Sequence, residues 1–426
     1  MSSKAEKYME LNNHSFPKDD WYYGYYYDMK KICHNCARCG NCRWTDPYEM
    51  KEARFGKGCP TNAYHLFDGY SCQGKMDVIL GVLDGRLNYD NNEKLLDVIY
   101  ACDTCGACDA MCKRSRDTEP LKVFLDMRAK LVEDGQLLPQ HMPIIDSMKK
   151  EDNTMMGKKA DRGNWAKDLK VKDLSKETAE VCFHAGCQIS FNQNLWKVGQ
   201  TAIKILQKMG VDVGILDKAE ACCGGKAYDM GYRGQYTTMA ENNLNAWKTA
   251  KVKTVITACS DCYFAFKKLY ADQGSEVQVY HLVEYIDKMI KEGKVQFTKS
   301  VPLKVCYHDP CHLGRRTDDY TPGKAISGVY DPPRNILKSI PGIEFVEMFR
   351  IKEYAWCCGS GGGVREAYPE FSQFTADERI IEAIATGAEA IVTACPWCEA
   401  QFNESVDRQN ERLKVYDIIE LVDQAL

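Results

Sequence analysis

The chain has no apolar run near the roughly 18–20 residues needed to cross a bilayer, so none of its 426 residues is expected to form a transmembrane helix. Its opening residues, Met-Ser-Ser-Lys-Ala-Glu-Lys, hold no apolar stretch of the kind that directs export. The expected location is the cytoplasm, with any membrane association made through a partner. A net charge of −4 gives no basic footprint for nucleic acid. No Cys-x-x-Cys-His occurs, which argues against covalent haem. The glycine run Gly359–Gly363 fails G-x-G-x-x-G at Val364, so no nicotinamide or flavin site is expected. Those glycines read instead as letting backbone pass close to a metal centre.

Cysteine, by contrast, is abundant at 22 residues. Without an export signal these thiols stay reduced, so they read as metal ligands or redox groups rather than a disulfide framework. Such density also suits an oxygen-poor habitat, because exposed thiolates and clusters oxidise. The length allows two or three domains.

The front half carries Cys102-Asp-Thr-Cys105-Gly-Ala-Cys108-Asp-Ala-Met-Cys112, a C-x2-C-x2-C-x3-C run of the bacterial ferredoxin type. An earlier run, Cys33-x2-Cys36-x2-Cys39-x2-Cys42, leaves its register open. Matching Cys39-Gly40 to Cys105-Gly106 aligns Cys36, Cys39 and Cys42 with Cys102, Cys105 and Cys108. Cys59-Pro60 then supplies the distant fourth ligand after an inserted loop. By the crossover rule one [4Fe–4S] cubane takes Cys36, Cys39, Cys42 and Cys112, and the other takes Cys102, Cys105, Cys108 and Cys59. The alternative is a pair of zinc knuckles, although C-x2-C-x2-C is not a usual zinc spacing. Cys33 and Cys72 are left over as structural thiols or alternative ligands, Cys33 being the better candidate. Apolar spacing predicts a two-piece helix over Lys75–Tyr100, with Ile79, Val82, Leu83 and Leu87 on the first face, and another helix over Leu121–Val132. Upstream, the aromatic run Trp21–Tyr27 reads as an arm packed over a cluster, or as a subunit contact.

The back half contains one pattern twice. The first copy has Cys187, Cys222-Cys223-Gly224 and Cys259-x2-Cys262. The second has Cys311, Cys357-Cys358-Gly359 and Cys395-x2-Cys398. Adjacent cysteines and five thiols per copy do not suit a four-ligand zinc site. Val181-Cys-Phe-His184 pairs with Val305-Cys-Tyr-His308, and Val279-Tyr-His281 with Val415-Tyr-Asp417. The copies are offset by 124 residues at the first block and 136 at the later ones, which puts an insertion after Cys311, in the loop-like Arg315–Gly328. β-Branched runs alternate with helical patterns such as Trp196–Met209, which Gly210 ends. The expected fold is therefore α/β: an N-terminal α-helical ferredoxin module followed by two pseudo-symmetric parallel α/β repeats. The expected division is an arm over 1–32, the ferredoxin module over 33–132, a linker over 133–178 whose Glu151–Gly163 is a surface connection, and repeats over 179–300 and 301–426. Each copy's cysteines follow predicted strands and should converge at one sheet end, where sites collect in open α/β sheets.

On these motifs, together with Tyr307-His308-Asp309-Pro310-Cys311-His312-Leu313-Gly314, the chain resembles the D polypeptide of heterodisulfide reductase, a fusion of the C and B polypeptides. The resemblance covers about residues 30–426. It implies two cubane clusters in the front half and a noncubane [4Fe–4S] cluster on the five thiolates of each CCG copy. In that family the two noncubane clusters face each other and cleave a disulfide in successive one-electron steps. The implied partners are other redox subunits (a flavoprotein, a hydrogenase or a membrane b-type cytochrome), with a thiol or disulfide as substrate. The family also includes electron-relay subunits of hydroxyacid-oxidising, thiol–quinone and class II benzoyl-coenzyme A reductase complexes, so a relay without its own substrate is the alternative. The long Cys42-to-Cys59 spacer departs from the compact family run.

His184 and His308 sit at equivalent positions three residues before a ligand cysteine. Each reads either as a proton donor to a departing thiolate or as a hydrogen-bonding group that shapes the cluster loop. Cys182 and Cys306 read as buried core thiols. Lys226, Arg315, Arg316 and Arg365 are candidate binders of an anionic thiol, or simple surface charge.

Overall fold

The computed structural model describes residues 29–90, 92–113, 115–318 and 327–426. The aromatic run Trp21–Tyr27 lies outside these residues, as does much of the Arg315–Gly328 loop.

The front third is helical. Its main elements are Pro60–His65, Cys72–Leu83, Glu93–Tyr100, Ala107–Cys112 and Pro120–Glu133. The one β contact among its described residues is an isolated bridge between Trp44 and Lys57. The predicted two-piece helix is present, but its first piece stops at Leu83 and Leu87 lies beyond it, partly exposed. Asp84-Gly85 ends that helix, with Gly85 at φ 69°. Ile79, Leu95, Ile99, Leu121, Phe124 and Leu131 bury against one another in a core of their own, in which Cys33 is also sealed.

Two wholly parallel sheets form the rest. The first contains β1 (Lys172–Asp173), β2 (Val181–His184), β3 (Val213–Ile215), β4 (Thr254–Thr257) and β5 (Gln278–His281), in the order β1-β3-β2-β4-β5. The second contains β6 (Leu303–Tyr307), β7 (Ile343–Val346), β8 (Ala390–Thr393) and β9 (Lys414–Asp417), in the order β7-β6-β8-β9. Apart from β1, the two sheets share one strand order. Helices cover their faces, as parallel sheets require. The helix Trp196–Lys208 buries Val198, Ala202, Ile205 and Leu206, and Gly210 follows it at φ 76°. His281 and Asp417, the last residues of β5 and β9, each close a capping box on the next helix. One continuous apolar core runs through both sheets.

Residues 133–178 are more than a linker. Ile144, Ile145, Met148, Trp165 and Leu174 enter the core of the sheets, and Lys172–Asp173 pairs with β3. The reading of Glu151–Gly163 as a surface connection holds for Met156 and residues 158–161, which are exposed, and is corrected for Asn153, Thr154 and Arg162, which are buried. Its charged composition hides groups that are paired inside.

Candidate metal centres

Two cavities lie in the helical region. Cys36, Cys39, Cys42 and Cys112 line the first, and Cys59, Cys102, Cys105 and Cys108 line the second. These are the two groups expected from the crossover. Tight turns aim the thiols: Gly40 and Gly106, at φ 79° and 75°, open the short helices Asn41–Arg43 and Ala107–Cys112. Cys39 is exposed, while Cys105 is buried. Cys72 lines both cavities and makes thiol contacts with Cys42 on one side and Cys108 on the other. Cys33, the favoured leftover, lines neither and sits in the helical core.

In each CCG copy the five thiols meet as a row of interacting neighbours. The first runs Cys187–Cys222–Cys223–Cys262–Cys259. The second runs Cys311–Cys357–Cys358–Cys398–Cys395. The physical need for the CCG glycine is the same in both. Gly224 and Gly359 stand at φ 80° and 90°, and each backbone N–H donates to the first cysteine of its pair, at 3.4 Å. A Cβ at Gly359 would lie 2.5 Å from the Ser372 carbonyl oxygen. Hydrogen bonds from Cys222 and Cys262 hold the Cys223 thiol down at about 6 against its burial. Those from Cys357 and Cys398 hold Cys358 well below the ordinary thiol range. Within each group some thiols are held low while their neighbours and burial push others up, as Cys187 and Cys262 are; thiols packed in groups of four and five suit a thiolate-ligated iron–sulfur core.

The rows touch one another. Cys105 of the second cavity contacts Cys357, and that hydrogen bond lowers Cys105 to about 6. Cys259 contacts Cys395, and beside them Ser260 Oγ donates to the Ala394 carbonyl at 3.1 Å. Gly361 and Gly362 allow the first junction, because a Cβ there would fall 2.4 Å from the Asp103 carbonyl oxygen and 2.5 Å from that of Cys102.

His184 and His308 are fully buried, and each stacks edge-on against one phenylalanine, Phe266 and Phe402. Burial lowers His184 to about 4 and His308 further, so both are neutral at pH 7. His308 Nδ1 accepts from Arg379 Nε at 3.0 Å, and the ring lies beside Cys358 and Cys398. The four candidate anion binders are all engaged: Lys226 with Glu366, Arg315 with the carbonyls of Cys105 and Ala355, Arg316 with Asp229, and Arg365 with Glu404. Arg315 and Arg316 are buried, so neither is surface charge.

Three further groups lie near the thiols; Asp229 and Glu220 stand outside the motifs, and His312 directly follows the motif cysteine Cys311. Asp229 is buried and accepts from Thr104 Oγ1, His312 Nε2 and both Arg316 Nη atoms, joining the front third to both sheets. His312 Nδ1 lies 3.3 Å from Cys311 Sγ and 3.3 Å from Asp261. Burial opposes a charge on His312, but Asp261, Cys311 and Asp229 outweigh it and the imidazolium is favoured. Glu220 pairs with Arg162 at 2.8 Å. These residues are acids, bases and an arginine at irregular spacing, and only the folded chain brings them together.

The CCG cysteine-rich domain family matches this chain twice, over residues 181–267 and 305–403. The D polypeptide of the dihydromethanophenazine:CoB–CoM heterodisulfide reductase of Methanosarcina mazei is 30% identical over 406 residues, covering 92% of this chain and 93% of that one. The chain belongs to the heterodisulfide reductase D family. A further relative, the EtfAB:quinone oxidoreductase of Syntrophomonas wolfei, is 30% identical over 78% of this chain and 47% of its own length. A crystal structure of a hypothetical protein from Helicobacter pylori superposes over 99% of this chain and 74% of that one, with a TM-score of 0.55 at 9% identity, a likeness of fold alone. As a member of the heterodisulfide reductase D family, the chain is an iron–sulfur oxidoreductase. Among the described residues no helix is long and apolar enough to cross a membrane.

Proposed function

We propose that this chain carries electrons through two cubane [4Fe–4S] clusters, held by Cys36, Cys39, Cys42, Cys112 and by Cys59, Cys102, Cys105, Cys108, to two noncubane [4Fe–4S] clusters on the CCG cysteines. A disulfide is reduced there: R–S–S–R′, two electrons and two protons give two thiols. The observation that carries this reading is the chain of thiol contacts. It runs from Cys42 through Cys72 to Cys108, from Cys105 to Cys357, and from Cys395 to Cys259. Electrons enter at the exposed end, Cys39, pass to the second CCG copy and then to the first.

The clusters, when bound, supply the one-electron steps. The protein's own residues hold the thiolates, exclude water and place a proton. His312, favoured as a cation beside Cys311, holds that proton at Nδ1. Neutral His184 and His308 shape the cluster loops. The shared strand order, the matched Cys-Cys-Gly turns and the paired capping boxes support reading residues 179–300 and 301–426 as copies of one unit, and 33–132 as a ferredoxin module. The physiological partners are other redox subunits.

A second reading, an electron relay without its own substrate, is favoured by one observation. The turns at Cys259 and Cys395 touch, and the nearby basic groups are occupied by protein partners.

The test is electron paramagnetic resonance on anaerobically purified protein, oxidised with and without thiol, with iron counted in the same sample. About sixteen irons and a species that appears only with thiol support the disulfide reading. Full iron without such a species supports the relay. About half that iron removes the noncubane assignment.

A further inference from the structure

The first CCG row is completed from outside its own copy. Residues 151–163, upstream of both family matches, cross its open side. Asn153 fixes this strap: its amide oxygen accepts from the N–H groups of Met155 and Gly157, and its NH2 donates to the carbonyls of Glu151 and Gly157. The Asp152 carbonyl then accepts from the backbone N–H of Cys222, at 2.8 Å. Arg162 enters the site itself and is 1% exposed. One guanidinium nitrogen, Nη2, donates to the Asp152 carbonyl at 2.7 Å and reaches Cys187 Sγ at 3.9 Å. The other, Nη1, donates to Glu220 Oε1 at 2.8 Å. Glu220 in turn accepts from the backbone N–H groups of Ala185 and Gly186, just before Cys187. A single side chain thus ties the strap to Cys187 and to the loop that presents it. Among the described residues the second row has no such strap. It is covered by the Cys102–Gly106 loop, through Cys105 against Cys357 and through Arg315 on the Cys105 carbonyl.

We propose that Arg162 is a positioning residue of the first CCG centre, which fixes Cys187 as a ligand and raises the reduction potential of that centre alone. This rests on the four-cluster reading above. An arginine stays charged at all working pH. A fixed positive charge with an N–H directed at a ligand sulfur favours the form carrying one more electron, and hydrogen bonds to cluster sulfurs are an established control of potential. The same pairing with Glu220 limits the net charge, so the directed N–H, more than the bare cation, sets the shift. Residues outside the repeat therefore tune the first copy, whereas in the second the ring nitrogen beside the equivalent ligand, Cys311, belongs to His312 of the repeat itself.

The test uses the full-length holoprotein, made anaerobically as wild type, Arg162→Gln and Arg162→Lys, with Arg365→Gln as a control on the second copy. Iron content and the midpoint of each paramagnetic centre are read by potentiometric titration with electron paramagnetic resonance. In Arg162→Gln one noncubane centre should shift to lower potential, or about a quarter of the iron should be lost, while the other centres keep their midpoints. Arg162→Lys should show a smaller shift of the same centre. Full iron and unchanged midpoints in both variants overturn the proposal. If Arg162→Gln loses every signal through misfolding, Arg162→Lys decides: a shift confined to one centre upholds the proposal and none overturns it. A wild-type protein with half the iron defeats the four-cluster reading instead, and is seen before any variant is measured.

Discussion

Replacing Arg128 by methionine should uncouple the three units of the chain. Arg128 projects from the helix Pro120–Glu133 and is fully buried. Its Nη1 donates to the carbonyls of Asp229 at 3.0 Å and Gly362 at 2.9 Å, one in each CCG copy. Its Nη2 donates to the carbonyls of Ile99 at 3.3 Å, Tyr100 at 3.0 Å and Cys102 at 2.8 Å, in the helical third. Methionine keeps the stem's bulk and removes every donor. A buried acceptor left unsatisfied costs about 1–3 kcal/mol, which taken naively over these five carbonyls is comparable to the whole stability of a domain. The Tyr100 carbonyl also accepts from the Cys102 N–H at 2.7 Å, and the desolvation cost of the cation disappears with it. A net loss of about 3–5 kcal/mol is the expected result, the range for breaking a buried charged network. The assay is anaerobic urea unfolding followed by both cluster absorbance and circular dichroism. Wild type should unfold in one transition. Arg128→Met should show a lower midpoint and two separated transitions, since its remaining contacts no longer bind the units into one. A loss under about 1 kcal/mol with a single transition would refute the reasoning, because it would mean that the junction is held by packing alone.

Glu382 is fully buried between Arg350 Nη2 at 2.9 Å and Arg379 Nη1 at 2.8 Å. Glu382→Gln leaves two buried guanidinium groups without their carboxylate and should cost about 3–5 kcal/mol in urea unfolding, whereas Arg54→Gln, which removes the exposed partner of Glu378 at the surface, should cost about 0–1 kcal/mol. Burial lowers His141 to about 4, so the unfolded chain takes its proton at about 6.5 while the folded chain resists. Stability should therefore fall as pH drops from about 6.5 to about 4, by up to about 3 kcal/mol from this group, and the fall should be shallower in His141→Gln. Cys33→Ala should leave iron and spectra unchanged and cost about 1 kcal/mol of packing. Cys72→Ala should keep its iron but alter the resonances of both cubane sites, a result that loss of four irons would contradict.

What the sequence discloses and what it withholds have different physical sources. Ligand spacing is dictated by cluster size and strand ends, so both CCG sets show as one repeated pattern, and Cys36 through Cys112 group once the Cys-Gly match sets the register and the crossover rule assigns the fourth ligands. The helices Trp196–Lys208 and Pro120–Glu133 are legible because a buried face imposes a 3.6-residue period. Arg162 has no such mark: it lies among Lys158, Lys159 and Asp161, and a paired arginine is as polar in sequence as a solvated one. Spacing favours Cys33 over Cys72 for a similar reason. Cys33 continues a visible pattern, while Cys72 reaches the cavities only because the helix it starts is packed between them. Arg315 and Arg316 read as anion binders or as surface charge, because their partners are distant in sequence, yet they turn inward to carbonyls and to Asp229.

The depth of the thiols constrains how the protein is made. All ten CCG cysteines and Cys105 are buried, so in the closed chain no iron donor reaches them. Loading must come before the helical third docks onto the sheets, and the junction at Cys105 and Cys357 then acts as a seal on work already done. Refolding with iron and sulfide present from the start should recover more metal than adding them after compaction. Because the helical third is synthesised first and the sheets follow, the interval before closure is set by translation itself, and the order of the chain becomes an order of maturation.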